Sequence, residues 1–423
     1  MYSTTVASSR DNSLESFYLI FIERIRYMST NIPYKVQLVH EQNSLIYRPC
    51  DVKLEQLFDL SVINQAIYEC QRSKMWKSSV TYNTFYNDYT ANDIYNSIMS
   101  GTYQLDPLFH TIINERGKER LISSLTFRDR VVEKILNQGF ILPLFRPKLI
   151  YNNCASLEDR GIHFALNRLE VMMFKMFQKY GKNYYVAKCD IKSYFDNISH
   201  IYIYNKFDRY IMDKRIIYLI GMVLEQFRLD IAIHNGEQVP FGIGLGGEVS
   251  QSIGILCLDE LDHILTEDPA YKSEGYIRYM DDFIILDNDL DRLKYKMMFI
   301  EQYLNTIGLR LNKNKSNISN INQGIKFLKV HFYISDTGAI YRHPYQKSFK
   351  RENKKLHKLH NLHINNDNIS LENIKQSYNS WRGYINSVSD IQNIIGIYDD
   401  LYDHLFNEDT VIDRIARKSE QSQ

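Results

Sequence analysis

The chain has 423 residues, 44% hydrophobic and 24% charged, with a formal net charge of +1. That length allows two or three domains with sizeable cores, and the charge balance excludes a chain-wide basic field, so any nucleic-acid contact must come from local patches. Five scattered cysteines without a Cys-x-x-Cys pair argue against a zinc site or a disulfide framework and fit a reducing cytoplasm.

Residues 1 to about 30 are Ser/Thr-rich, then amphipathic from Leu14 to Met28, and read as a peripheral extension. The apolar run Phe17 to Ile22 is too short to cross a membrane and lacks the flanks of a signal peptide. The expected location is therefore the cytoplasm, with no membrane partner. Apolar spacing from Leu54 to Gln71 is helical, and Thr90 to Met99 reads as a second helix capped by Asn92 or Thr90. A hairpin follows from Phe109, turning at Glu115-Arg116-Gly117; period-2 alternation puts Lys118 and Arg120 on one face of its second strand. A helix from Phe127 should end near Gly139, and another should run from Ile162 to Tyr180.

Tyr184 to Asp190 reads as a strand ending in an acid, followed by Phe195-Asp196. The Gly-rich stretch 242–247 with Ser250-Gln251 opens an apolar helix from Ile253 to Leu265. Next comes Arg278-Tyr279-Met280-Asp281-Asp282 before Phe283 to Leu286, which reads as a β-hairpin with both carboxylates in its turn. Adjacent carboxylates repel, so a divalent cation with hard oxygen ligands would stabilise them; a solvated turn is the plainer alternative. A helix from Asp291 to Thr306 leads to Gly308-Leu-Arg-Leu-Asn-Lys-Asn-Lys315, then to a strand from Lys326 to Phe332. From Arg342 to His360 a helix carries Lys347, Lys350, Arg351, Lys354, Lys355 and Lys358 against a single acid, Glu352. Asn365 to Asn368 links it to an amphipathic tail with Ser380-Trp381-Arg382-Gly383. The 32 tyrosines suit base stacking, and an AT-rich coding sequence gives the same bias.

If the strands ending at Asp190 and turning at Asp281-Asp282 are neighbours, three carboxylates converge at one sheet edge, as two-metal phosphoryl chemistry needs. The succession of basic hairpin, strand-end Asp190, Gly-rich loop with Ser250-Gln251, the Tyr279 to Asp282 turn, the segment ending at Lys315 and the Phe327-Leu328 strand resembles the reverse transcriptase family. Within it, the closest likeness is to the bacterial retroelement branch of group II intron, diversity-generating and abortive-infection enzymes. The resemblance covers about residues 60 to 395.

It implies an α+β, right-hand polymerase fold: an N-terminal extension over 1–50, N-terminal helices and fingers over 51–180, palm over 181–340, thumb over 341–410 and a tail over 411–423. It implies two Mg²⁺ ions per active site, with Mn²⁺ as the substitute, held by Asp190, Ile191, Asp281 and Asp282. Lys315 matches the lysine that protonates the leaving pyrophosphate, and Phe195 the steric gate that favours dNTPs. Lys118 and Arg120 match the cations that clamp the triphosphate, and Leu245, Gly246, Ser250, Gln251 and Tyr279 match nucleotide contacts. Phe327-Leu328 resembles the primer grip, with Lys329 where the family has Gly. The cations of 347–358 with Trp381 and Arg382 resemble the thumb, tracking nucleic-acid phosphates.

The implied partners are an RNA template, DNA primer and product, and dNTPs. An oligomeric or accessory protein partner is left open. The leading expectation is an RNA-directed DNA polymerase working with a dedicated non-coding RNA in antiphage defence. Diversity-generating retroelement synthesis, template-independent or protein-primed DNA synthesis, and a non-catalytic RNA-binding scaffold are the alternatives.

Overall fold

The computed structural model describes residues 50–407 except 73, 116–117, 229, 235–236, 245, 365–369 and 389–391. The expectations for the N-terminal extension, the Asn365 to Asn368 linkage and the 411–423 tail lie outside the described residues, as does the Arg116-Gly117 turn. The chain divides into two compact units. One holds residues up to 156, 189–272 and 295–316; the other holds 157–188, 273–294 and 317 onward.

In the first unit the helical run from Leu54 breaks into α1 (Leu54–Leu57) and α2 (Leu60–Gln71), because Asp59 caps α2 by accepting from the Ser61 amide at 2.8 Å. Ile63, Ala66, Ile67 and Cys70 then bury one face at helical spacing. The short α3 (Ser78–Phe85) leads into α4 (Asn87–Met99). Thr90 lies inside α4, buried, and Asn92 donates to the Asp88 carbonyl at 2.7 Å, so neither caps the helix. Strands β1 (Phe109–Glu115) and β2 (Lys118–Ser124) form the expected hairpin, with Glu115 opposite Lys118.

Helix α5 (Phe127–Lys134) is capped by Thr126 and does not stop at Gly139. It passes through a π-helical stretch, Ile135–Ile141, into α6 (Leu142–Phe145). Wider π turns let the chain run through a glycine and up to a proline without a loop. The second unit takes α7 (Ile162–Tyr180), which ends as read from sequence, at Gly181 with φ +59.

Strand β3 (Tyr185–Asp190) starts in the second unit, and its last two residues, Cys189 and Asp190, belong to the first. The first unit continues with α8 (Tyr194–Asn197), α9 (His200–Tyr210), α10 (Lys214–Gln226), the hairpin β4 (Asp230–His234) and β5 (Glu237–Phe241), α11 (Glu248–Leu256) and α12 (Asp259–Glu267). The apolar helix expected from Ile253 is thus two helices, and the first begins early enough to include Ser250 and Gln251.

Strands β6 (Gly275–Tyr279) and β7 (Asp282–Asp287) come next, then α13 (Leu290–Thr306) and β8 (Asn317–Asn320). A four-stranded sheet has the order β6-β7-β3-β8, with the β6/β7 and β3/β8 pairs antiparallel. The strand expected from Lys326 to Phe332 is instead a hairpin of β9 (Ile325–Phe327) and β10 (Val330–Ile334), turning at Leu328 and Lys329 with φ +46 and +67. Strand β11 (Ile340–Pro344) pairs with β10 and contains Arg342, which therefore lies outside the basic helix. Arg342 pairs with Glu170 and Asn167 of α7.

Helices α14 (Gln346–Ile364), α15 (Leu371–Val388) and α16 (Gln392–Phe406) close around Leu356, Ile374, Tyr378, Leu405 and Phe406. Among the described residues no helix is long and apolar enough to cross a membrane.

Candidate active site

Asp190 ends β3 with its backbone and its carboxylate both held. Its amide donates to Ser316 Oγ at 3.1 Å, and its carbonyl accepts from the Asn312 amide at 2.7 Å. Asn312 Nδ2 donates to Oδ2 at 3.0 Å, and Lys315 Nζ donates to the two carboxylate oxygens at 3.0 and 3.1 Å. The Lys315 side chain is 61% exposed. Its ammonium is therefore open to an incoming ligand while aligned on the acid. Lys313 pairs with Glu301 at 3.6 Å, so Lys315 is the lysine that meets Asp190.

Beyond Asp190 the chain turns sharply at Ser193, whose φ is +47. Asn197 donates back to the carbonyls of Lys192 and Ser193 at 3.2 and 2.8 Å, which fixes the turn. The Ile191 side chain is buried and has no donor atom, so its backbone carbonyl is the group that could serve as a ligand. Phe195 is half-buried and edge-on to Tyr194, with ring centroids 5.6 Å apart at 83°. Its carbonyl accepts from the Ile243 amide at 3.0 Å, which ties α8 to the Gly-rich loop.

Gly246 has φ +132, and a Cβ there would lie 2.5 Å from the Ser123 carbonyl oxygen, a close approach only glycine permits. Ser250 is buried and its hydroxyl donates to the Ile243 carbonyl, so it braces the loop, while Gln251 is exposed. The N-terminus of α11 is held by Glu133 of α5, which accepts from the Val249 amide at 3.0 Å. A Cβ on Gly247 would meet the same carboxylate at 2.3 Å. Burial pushes Glu133 up to about 7, against the lowering effect of the Val249 and Glu248 amides.

In the second unit, Tyr279 pairs with Asp282 across β6 and β7, leaving a two-residue turn of Met280 and Asp281. Asp281 is thus in the turn, whereas Asp282 already belongs to β7, a correction to the reading of both acids as turn residues. Met280 has φ +57, an uncommon conformation for a side chain of its size. The fully buried Arg278 donates from Nη1 to the Met280 carbonyl at 3.1 Å and so holds the turn from inside. Tyr279 is half-buried.

Lys188 Nζ stands 3.4 Å from Asp282 Oδ2 and donates to the Lys326 carbonyl at 2.9 Å, which links the acid to the β9–β10 hairpin. The Tyr345 amide donates to the Lys329 carbonyl at 3.1 Å. Burial, then the Asp282 charge, push the Tyr345 phenol up to about 12. Phe327 is fully buried in the sheet, so a strand lying on this hairpin would meet Leu328 and backbone rather than that ring.

Lys118 and Arg120 sit in β2 opposite Glu115 and Ile113. Their side chains, like Leu245, lie outside the described residues. On α14, Lys347, Lys350, Arg351, Lys354 and Lys358 are exposed, opposite the buried Glu352, Leu356 and His360. Lys355 pairs with Glu352 at 3.1 Å. Trp381 packs against the three-helix core, and Arg382, its side chain 43% exposed, makes a two-pronged pair with Asp399 at 2.8 and 2.9 Å.

The family model described as reverse transcriptase (RNA-dependent DNA polymerase) matches residues 112–332, more than half of the chain. The chain belongs to this reverse transcriptase family. The reverse transcriptase is therefore an RNA-directed DNA polymerase with an α+β, right-hand polymerase fold. It is 23% identical over 266 residues to Protein YkfC of Escherichia coli (strain K12), covering 55% of this chain and 68% of that protein. Two telomerase structures overlap it at 14% identity. That from Candida albicans, with a telomeric RNA fragment, has a TM-score of 0.42 and covers 67% of this chain. The apo enzyme of Candida tropicalis has a TM-score of 0.40 and covers 61%. The reverse transcriptase spans about half of each telomerase chain, 54% and 53%.

Among the described residues no cluster of three or more His, Cys, Asp or Glu side chains stands ready to hold a metal ion. Asp190 in the first unit, and Asp281 and Asp282 in the second, each offer the hard carboxylate oxygens that divalent metal ions take. Two of them already attract cations of the chain, Asp190 with Lys315 and Asp282 with Lys188. Sequence reasoning missed Asn312, Ser316, Lys188, Arg278 and Glu133. Lys188 had a signal, since it lies two residues before Asp190 and so shares its strand face.

Proposed function

We propose that this polymerase joins each dNTP to the 3′-hydroxyl of a DNA primer paired with RNA. The observation that carries the reading is the Lys315–Asp190 pair: an exposed ammonium 3.0 Å from a carboxylate whose backbone and side chain are both fixed. Asp190, Asp281 and Asp282, with the Ile191 carbonyl, would hold two Mg²⁺ ions, with Mn²⁺ as substitute. Bound there, such ions would supply the positive charge that activates the hydroxyl and offsets the triphosphate.

The rest of the work falls to the chain. Asp190 presents its carboxylate in one orientation, set by Asn312 and Lys315. Lys315 donates its proton to the leaving pyrophosphate as general acid. Lys118 and Arg120 bind the triphosphate, and Phe195 lies against the sugar and excludes a 2′-hydroxyl. Gly246, Leu245, Gln251 and Tyr279 border the nucleotide, with Ser250 bracing their loop. Leu328 guides the primer, and the α14 cations follow backbone phosphates. The corresponding division is fingers to residue 180, palm to 340 and thumb to 410.

The biological setting we propose is antiphage defence with a dedicated non-coding RNA, on the resemblance of the Leu245-Gly246 to Ser250-Gln251 segment to that of the defence-associated and diversity-generating groups. Purified chain with RNA template, DNA primer and Mg²⁺ should incorporate dNTPs, and Asp281→Ala/Asp282→Ala should not. Wild-type synthesis by that variant would overturn the site assignment. Phage plating on cells carrying either form, together with sequencing of the co-purified RNA, checks the setting.

A further inference from the structure

Helices α3 and α4 carry Tyr82, Phe85, Tyr86 and Tyr89, the i, i+3, i+4, i+7 spacing that ordinarily builds a buried stripe. Here the stripe faces solvent: Phe85 is 81% exposed, Tyr89 75%, Tyr82 64% and Tyr86 53%. The core-facing side is made by Val80, Thr90, Ala91 and Ile94 instead. Tyr86, with non-helical φ −104 and ψ 36, joins the two helices; its amide donates to the Tyr82 carbonyl at 3.2 Å and its carbonyl accepts from Thr90 at 2.9 Å. The Tyr82 and Tyr86 rings sit 4.7 Å apart. Just before α3, Trp76 is 80% exposed, with the Lys77 ammonium 5.1 Å from its ring centroid. Between Cys70 and Asp88 the chain has Arg72, Lys74 and Lys77 and no acid.

We propose that this face binds single-stranded RNA, the stretch of template not yet copied. The patch is made of rings with cations beside them. Rings stack on any base, and cations beside them meet the phosphates. Local charge complements a polyanion although the whole chain is close to neutral. The choice of strand rests on the polymerase reading, because RNA-directed synthesis always presents unpaired RNA ahead of the copied duplex.

The test is fluorescence anisotropy of a labelled, unstructured 20-nucleotide RNA with the full chain, without dNTPs. The Phe85→Ala/Tyr89→Ala variant, with a further Trp76→Ala, should raise the dissociation constant about tenfold or more. Binding to an RNA–DNA duplex should stay within twofold. Phe85→Leu/Tyr89→Leu keeps apolar area but removes the rings, and should lose as much affinity as the Ala pair. Unchanged RNA affinity, equal losses on duplex, tighter binding of single-stranded DNA than of RNA, or dissociation of a wild-type dimer by the same substitutions would each overturn the proposal. Asp281→Ala/Asp282→Ala should bind the RNA as wild type does, so a failed polymerase assay leaves this readout standing.

Discussion

Asp190 and Asp281 are acids of one proposed site, and cations of different kinds stand near them. Asp190 is fixed through its own atoms: Asn312 and Lys315 hold the carboxylate, and Ser316 holds the amide. Asp281 stands in a two-residue turn whose left-handed Met280 is held by the buried Arg278. One arrangement keeps its cation at the surface, where it can move a proton. The other buries its cation, where it can only hold shape. The lesson is that charge near an acid has a different role according to which atoms it touches.

Substitutions can break this contrast, the severest first. Asp190→Ala or Asp281→Ala should each lower single-nucleotide incorporation about 10³-fold or more, because either removes a proposed ligand to charge that develops in the transition state. Equal activity in either variant, measured with a fixed primer–template, would remove that acid from the site. Lys315→Met should reduce kcat by roughly 10²- to 10³-fold, within the usual range for a general acid. It should cost about 1 kcal/mol of denaturant stability or less, since the ammonium is exposed although the Asp190 carboxylate it leaves is buried. Arg278→Met should do the reverse in character. It removes the buried guanidinium that holds the Met280 carbonyl, and urea unfolding should show about 1–3 kcal/mol of lost stability, the cost of a buried polar group left unpaired. If Lys315→Met destabilised as much as Arg278→Met, the surface cation would be structural and the contrast would fail.

The sequence pointed to the acids and to Lys315 and hid the buried Arg278. Asp190, Asp281, Asp282 and Lys315 stand in motifs whose chemistry can be reasoned from residue type. The regular elements were legible too, where one periodicity runs unbroken, as in α7 and in β6 with β7. Arg278 was not, because in a strand an Arg reads as a surface residue unless the carbonyl that satisfies it is known, and that carbonyl comes from a turn conformation no pattern encodes. The β9–β10 hairpin was misread as one strand for a similar reason: Leu328 and Lys329 take positive φ without the Gly or Asn that normally announces it. The continuous path from α5 to α6 was hidden by Gly139, which usually signals an end.

A third carboxylate sharpens the comparison with the smallest expected effect. Glu133 is buried like Asp190, yet its bonds come from the Val249 and Glu248 amides rather than from an ammonium, and burial pushes it up to about 7 from 4.5. Arg130 and Glu248 are the charged groups that face it, with opposite influence. The folded protein therefore binds a proton at Glu133 that the unfolded chain releases between about 4.5 and 7. Its contribution to stability is full below that window and is lost as pH rises through it. Glu133→Gln keeps an acceptor for the Val249 amide and removes the titration. Urea unfolding at pH 5 and pH 8 should show wild type losing about 1–3 kcal/mol relative to the Gln variant over that interval. A wild-type-to-variant difference that stays flat with pH would mean that Glu133 is ionised throughout. The Glu133 carboxylate would then match Asp190 in charge while lacking its ammonium partner, and the distinction drawn between the two would fall.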